Sequence, residues 1–253
     1  MGSSYFYLEF LLVWHTLLKN SGFRNPAIFA LEYTLVPDAC YPTQLQQTIA
    51  GYKHVLSILP DSSKVCVSGD SAGALLILSL LLHLAHTSDS EMEMNSIRPG
   101  MAILISPWVT LVSMKDKNTP SDYLDVESLH LYAHQYAGKK VAVNDALVSP
   151  GDCKDLELWR QASPSKGFGF LFGSEEVFAP EIRNLITLLR KTGVSVETRE
   201  EEGGIHAWPV ATLFLSSTRE ERQKGLKTIV HMISERMTKL PLSCLVEDIA
   251  NRI

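Results

Sequence analysis

The chain changes from strand to helix across one short stretch, Val67-Ser68-Gly69-Asp70-Ser71-Ala72-Gly73-Ala74. A β-branched apolar segment at residues 64–67 precedes the turn, and a long apolar segment of helical character follows at once. A strand that enters Gly-x-Ser-x-Gly bends sharply into a helix and lifts the serine side chain, here that of Ser71, out of the turn. We expect both Gly69 and Gly73 to be steric requirements, because a side chain at either position would crowd the strained turn.

An acid and a histidine follow Ser71 in the order that activates a serine. Residues 167–172 predict a short buried strand, which Glu175 and Glu176 follow, and a strand at residues 194–198 leads into a glycine loop with His206. Acids at the carboxyl end of a strand in an α/β protein lie where ligands and chemistry collect. Serine needs a base to accept its proton, histidine can be that base, and a carboxylate orients the histidine. The sequence therefore predicts a catalytic set of Ser71, an acid near position 176 and His206.

Composition narrows the class of protein. With 253 residues, 45% of them hydrophobic, the chain can bury one substantial core. A net charge of −5 with scattered basic residues argues against a nucleic-acid partner. No metal-ligand spacing or glycine-rich phosphate loop is present, so we expect no metal and no cofactor. The cysteines are widely spaced and predict a reducing compartment rather than a disulfide framework; they are Cys40, Cys66, Cys153 and Cys244.

Helix and strand patterns alternate along the chain, which predicts an α/β fold with a mostly parallel sheet covered by helices on both faces. Helices are expected at residues 4–20, 43–59, 72–86, 121–137, 179–192 and 219–238. Strands are expected at residues 27–33, 64–68, 101–106, 167–172 and 194–199, with a polar loop at 91–99. No linker or repeat divides the sequence, so residues 1–253 are predicted to be a single domain, with residues 107–165 as a candidate cap or lid.

The first apolar segment, residues 5–18, is too short to span a bilayer, and Glu9 interrupts it. No basic segment precedes it, as a signal peptide would require. We therefore expect an amphipathic core helix, no membrane span and a cytoplasmic location.

These motifs resemble the hormone-sensitive-lipase-like branch of the α/β-hydrolases, the esterase and arylacetamide-deacetylase relatives, over nearly the whole chain. The elbow matches that branch's Gly-Asp-Ser-Ala-Gly, and residues 32–37 with 41–42 resemble its Asp-Tyr-Arg-Leu-Ala-Pro…Phe-Pro segment. Ser106-Pro107-Trp108 and Ser149-Pro150 also match, and residues 173–178 resemble the acid loop in a way that favours Glu176 over Glu175. The acid loop looks most like that of fungal members, including steryl-acetate hydrolases and esterases of secondary metabolism.

The resemblance implies an α/β-hydrolase fold and a serine esterase with a Ser71, His206 and Glu176 triad. It also implies that the backbone N–H of Ala72 binds the oxyanion, while Gly69, Asp70 and Gly73 frame the nucleophile. The implied substrates are acetyl-type esters of small apolar alcohols, with amides as the alternative acyl donors. Trp108 and Trp208 are candidates either for the lining of a substrate pocket or for core packing.

One family motif is absent, the His-Gly-Gly-Gly that supplies further oxyanion donors. Residues 2–4 resemble the segment that follows that motif, so the chain is expected to start just after it and to lack the N-terminal strands. Loss of one oxyanion donor typically costs ~10²–10³ in turnover. Two alternatives to an active esterase therefore stay open: an impaired relative that binds a small ligand, as the plant gibberellin receptors of this family do, and an inactive fragment.

Overall fold

The computed structural model describes residues 4–88 and 90–238. Four strands and nine α-helices occur in these ranges, together with short 3₁₀ turns at Ser62–Lys64 and Pro150–Asp152. In chain order they are α1 (Ser4–Asn20), α2 (Thr43–Ile58), β1 (Cys66–Asp70), α3 (Ala72–Thr87), α4 (Glu91–Ile97), β2 (Met101–Ile105), α5 (Val126–Ala137), α6 (Leu156–Ala162), β3 (Phe168–Gly173), α7 (Ala179–Lys191), β4 (Val196–Glu201), α8 (Trp208–Leu215) and α9 (Arg219–Met237).

The four strands form one parallel sheet in the order β1-β2-β3-β4. Strands β2 and β3 are buried at every residue, which is why their sequences are continuous apolar runs rather than alternating ones. Because all four strands run the same way, the loops after them meet at a single edge of the sheet. That edge receives Ser71, Ser106, Glu176 and His206.

Helices cover both faces of the sheet, as the alternating pattern predicted. One core cluster combines buried side chains of α2, α3, α5, α6 and α7, and a second combines those of α1, α8 and α9. Helix α3 is apolar around most of its circumference because it packs centrally, against β1, α2 and α6. The predicted fold class is confirmed.

Three local predictions were wrong. Residues 27–33 form no strand; Phe29 and Leu31 lie against Gly51 of α2, and no described strand pairs with this backbone. A strand is defined by the hydrogen bonds to its neighbours, so a composition rich in β-branched residues does not by itself make one.

The predicted loop at 91–99 contains helix α4. The side chain of Ser90 caps its first turn by accepting a hydrogen bond from Glu93 N. Helix α5 begins at Val126 rather than at 121, because Asp125 caps it.

The candidate cap or lid, residues 107–165, is partly core. Leu129 and Ala133 of α5 and Trp159 of α6 are buried in the same cluster as α3. The single-domain organisation stays a prediction. The described cysteines, at positions 40, 66 and 153, are free thiols, and Cys244 lies outside the described residues.

Within residues 4–88 and 90–238, no helix has the length and apolar character needed to cross a membrane.

Candidate active site

Ser71 alone makes the turn between β1, which ends at Asp70, and α3, which begins at Ala72. Its backbone angles, φ of 52° and ψ of −119°, lie in a region that residues other than glycine rarely occupy, as expected of a strained functional turn. A Cβ at Gly69 would lie 2.4 Å from the carbonyl carbon of Gly73, so glycine is required there. A Cβ at Gly73 meets no described atom within 4 Å, so the predicted steric requirement is wrong at that position.

The backbone of Ser71 is held on both sides. Its N–H donates to Ile105 O at 2.9 Å, and its carbonyl accepts from Trp108 N at 3.2 Å and Leu75 N at 3.1 Å. The side chain is half-buried at the start of α3, where the unsatisfied N–H groups of a helix favour negative charge.

Glu176 lies in the loop between β3 and α7 with 2% of its surface exposed, whereas Glu175 points to solvent. Its Oε2 accepts two hydrogen bonds, from Ser106 Oγ at 2.6 Å and from Gly173 N at 2.9 Å. These donors favour the carboxylate, but burial outweighs them and raises the pKa of Glu176 to about 8.

His206 follows β4 and is 3% exposed. Its ring makes edge-to-face contacts with Phe178, at 5.2 Å between centroids, and with Tyr123, at 5.8 Å. Burial among these rings lowers the pKa of His206 to about 3, because the imidazolium would lose its hydration. The imidazole is therefore neutral near neutral pH, which is the form that can accept a proton.

Glu176 and His206 face each other across 4.0 Å, measured from Oε1 to Nδ1. Both atoms are buried, and neither has a hydrogen-bond partner in the described structure. The separation is longer than a hydrogen bond, and each buried polar group left without one costs about 1–3 kcal/mol. Across the described residues no hydrogen bond joins Ser71 Oγ to this imidazole.

Ser106 connects the loops of Glu176 and His206. Besides donating to Glu176, its Oγ accepts a hydrogen bond of 2.8 Å from Ala207 N. Both residues have left-handed backbones, with φ of 43° at Ser106 and 50° at Ala207. The sequence marked Ser106 only as part of a Ser-Pro-Trp match and gave it no role; its position directly after a buried strand was the available signal.

The segment from Thr119 to Tyr123 also reaches this site, and sequence reasoning missed it. Asp122 accepts hydrogen bonds from Val177 N and His206 N. No motif in the sequence indicates this, because the partners are 55 and 84 residues away.

Asp70, beside the nucleophile, is held by α1. Tyr7 Oη donates to Asp70 Oδ2 at 2.6 Å. Burial raises the pKa of the Asp70 carboxyl, and the hydrogen bond from Tyr7 opposes that rise. The interaction ties the residue before the nucleophile to α1.

The two candidate pocket tryptophans lie in different cores. Trp108 stacks on Phe178 at 5.5 Å, on the face of the sheet that carries α3. Trp208 is buried against α9 on the other face, with Lys224 over its ring at 5.9 Å. A part for either in substrate binding stays a prediction.

No cluster of three or more His, Cys, Asp or Glu side chains with the geometry of a metal site occurs in the described ranges.

The sequence of this chain matches a known protein family. The profile described as alpha/beta hydrolase fold matches residues 20–210. A Schizosaccharomyces pombe protein, provisionally named a steryl acetyl hydrolase, is 30% identical over 178 residues, which are 66% of this chain and 45% of that protein. An acetyl-hydrolase of Streptomyces hygroscopicus is 28% identical over 72% of this chain and 57% of its own length. The chain thus spans about half the length of these curated relatives.

Solved structures share the fold. Carboxyl esterase 2 of the fungus Tuber melanosporum superposes with a TM-score of 0.76 at 20% identity, covering 94% of this chain and 74% of that one. A hormone-sensitive lipase from a metagenome library superposes with a TM-score of 0.68 at 24% identity, covering 89% and 72%. As the resemblance of its motifs predicted, the chain belongs to the α/β-hydrolase fold family.

Proposed function

We propose that this chain carries the catalytic residues of a serine carboxylic-ester hydrolase, with Ser71 as nucleophile, His206 as general base and Glu176 as its acid partner. The observation that carries the proposal is the buried pair of Glu176 Oε1 and His206 Nδ1, 4.0 Å apart and otherwise unsatisfied. The three residues follow β1, β4 and β3 of one parallel sheet, whose carboxyl ends meet at the edge that bears the elbow.

The reaction divides between these groups in two stages. Ser71 Oγ attacks the ester carbonyl while the imidazole of His206 accepts the hydroxyl proton; the resulting imidazolium then protonates the leaving alcohol as the ester C–O bond breaks. Water then attacks the acyl-serine and gives its proton to His206; the bond to Ser71 Oγ breaks, the imidazolium returns the proton to Ser71 Oγ, and the carboxylic acid leaves. Glu176 orients the ring through Nδ1 and balances its transient charge.

The N–H of Ala72 is the proposed oxyanion donor. It belongs to the first turn of α3, where backbone N–H groups are free and the helix dipole favours negative charge. Gly69 and Asp70 hold this turn in place around the nucleophile rather than take part in the chemistry, and Gly73 lies beside them in the first turn of α3.

The proposed substrates are acetyl-type esters of small apolar alcohols. Support comes from the names of the similar proteins, a steryl acetyl hydrolase and an acetyl-hydrolase. The expected small-molecule substrate and cytoplasmic location belong to this proposal, as do the fungal and secondary-metabolism associations of the motif resemblance.

A second candidate function is ligand binding by a catalytically impaired relative. The observation in its favour is that the candidate triad has no completed hydrogen bond, either from Ser71 Oγ to His206 or from His206 to Glu176. Catalytic hydrogen bonds are often long before substrate binds, so the same geometry is compatible with an active enzyme.

Hydrolysis of p-nitrophenyl acetate and butyrate separates the two. Wild-type protein is compared with Ser71→Ala and with the matched pair Glu176→Gln and Glu175→Gln, after circular dichroism has verified that each variant is folded. We expect Ser71→Ala to abolish turnover and Glu176→Gln to lower it by roughly 10²–10⁴-fold, whereas Glu175→Gln, which alters an exposed side chain, retains it. A folded wild-type protein without Ser71-dependent turnover overturns the esterase proposal and favours ligand binding.

A further inference from the structure

We propose that Asp122 is a positioning residue that sets the distance between the catalytic acid and the catalytic base. The inference rests on the proposed function, because it concerns the alignment of Glu176 with His206. Asp122 lies in the loop before α5, and both of its carboxylate oxygens accept hydrogen bonds from the two loops that carry those residues.

On the acid loop, the contact is made beside Glu176 itself. Val177 N donates to Asp122 Oδ2 at 2.9 Å, and this N–H belongs to the peptide bond that follows Glu176. On the other side, Thr119 Oγ1 donates to Glu175 O at 2.8 Å and accepts from Asp122 N at 3.1 Å. The segment therefore holds the backbone on both sides of the acid.

On the histidine loop, the same segment holds the backbone of the base. His206 N donates to Asp122 Oδ1 at 3.1 Å, and Tyr123 Oη donates to His206 O at 3.3 Å. The ring of Tyr123 meets that of His206 edge to face. Both backbone groups of His206 are thus tied to residues 122 and 123.

A single carboxylate consequently fixes two backbone positions whose side chains must align. The 4.0 Å separation of Glu176 Oε1 from His206 Nδ1 depends on the relative placement of the two loops. In well-oriented sites, a misplacement of about 1 Å costs about 10²-fold in rate. The loops are also joined away from the triad, by Glu175 N to Gly204 O at 3.0 Å and by Gly203 N to Ser174 Oγ at 2.9 Å, so the fold does not depend on Asp122 alone.

The test is Asp122→Asn with Asp125→Asn as its matched control. An amide oxygen can accept from only one of the two loops, and its NH₂ group then faces the N–H of the other. Asp125 lies three residues further on; it caps α5 by accepting from Ser128 N at 2.9 Å and touches neither catalytic loop. Asparagine is an equivalent N-cap, so the control keeps the cap of α5 and gives up only the exposed hydrogen bond from Asn118 Nδ2 to Asp125 Oδ1.

For p-nitrophenyl acetate we expect Asp122→Asn to lower kcat roughly 10- to 100-fold while KM changes less than about threefold, since the group acts on alignment rather than on binding. Asp125→Asn should stay within about twofold of wild type for both constants. Tyr123→Phe, which removes one hydroxyl from a half-exposed side chain, provides a second variant; it should lower kcat by a smaller factor.

Equal kcat values for Asp122→Asn and Asp125→Asn, in a wild-type protein with Ser71-dependent activity, overturn the positioning inference and leave the esterase proposal intact. A rise in KM without a fall in kcat also overturns it. Absence of Ser71-dependent activity in the wild type overturns the proposed function, and the inference with it.

Discussion

Ser106 Oγ donates a 2.6 Å hydrogen bond to Glu176 Oε2, joining the end of β2 to the acid that follows β3. The same oxygen accepts from Ala207 N, the residue after the histidine. One buried hydroxyl therefore satisfies groups on both loops that contain the acid and the base. The hydroxyl reaches both loops from a left-handed backbone at Ser106. Such a conformation is strained for a residue with a side chain and persists only where the surrounding packing holds it.

Replacing Ser106 by Ala should cost both stability and activity. The change leaves Ala207 N and one lone pair of Glu176 without a partner in a buried site, at about 1–3 kcal/mol. Ser149→Ala is the matched control: its buried Oγ also bridges two groups, Leu111 N and Asp152, on another loop. Urea denaturation should give similar losses for both variants, while esterase assays give a fall of about tenfold for Ser106→Ala only. Equal esterase activities of Ser106→Ala and Ser149→Ala would contradict a part for the Ser106 hydroxyl in catalysis.

The two elbow glycines should respond oppositely to alanine. At Gly69 a Cβ would lie 2.4 Å from backbone carbon, so Gly69→Ala must displace the turn and should abolish activity and lower Tm. At Gly73, in the first turn of α3, a Cβ meets no described atom within 4 Å, and Ala is the better helix former by about 1 kcal/mol. Thermal unfolding should therefore give an unchanged or higher Tm for Gly73→Ala. A loss of folding in both variants would contradict the geometry of the turn.

The dependence of activity on pH should follow Glu176 rather than His206. Burial lowers the pKa of His206 to about 3. The imidazole is therefore neutral near pH 7, and its protonation does not limit the rate there. Burial raises the pKa of Glu176 to about 8, so the carboxylate that balances the imidazolium forms as pH rises through that value. We expect kcat/KM, corrected with Ser71→Ala, to rise with a midpoint near pH 8 and to level off above it.

The two glutamine variants, Glu175→Gln and Glu176→Gln, show which carboxyl group causes that pH dependence. Glu175→Gln should keep the wild-type profile, and Glu176→Gln should flatten it at a low rate, because the ionising group is gone. A wild-type profile with its midpoint near pH 6.5, the ordinary pKa of histidine, would show that His206 limits the rate instead.

The hydrogen bond from Tyr7 to Asp70 should contribute more to stability than a comparable bond to a neutral acceptor. Tyr7→Phe removes the 2.6 Å donor from a buried carboxyl, at about 1.5–3 kcal/mol. Tyr52→Phe, the control, removes a 2.6 Å donor from the carbonyl of Ile97, at about 0.5–1.5 kcal/mol. Urea denaturation at about pH 8, which favours ionisation of the Asp70 carboxyl over its protonated form at lower pH, measures both. Equal losses would mean that Asp70 is neutral in the folded protein.

Local patterns in the sequence were sufficient for most of the elements. The continuous apolar runs of β2 and β3 predicted buried parallel strands, and the Gly-x-Ser-x-Gly turn predicted the transition from β1 to α3 within a residue or two. Residues 27–33 have the composition of a strand and form none, because a ladder needs a neighbouring strand that composition does not report.

The sequence by itself determined the fold class, the order of serine, acid and histidine along the chain, and the position of the strained turn at Ser71. These follow from hydrophobic periodicity and from steric rules that act over a few residues. Only the tertiary structure decided that Glu176 points inward and Glu175 outward, and that Ser106 and Asp122 join the two loops. Those relationships depend on contacts between residues 55 to 101 positions apart, which exist only after the parallel sheet has brought its carboxyl ends together.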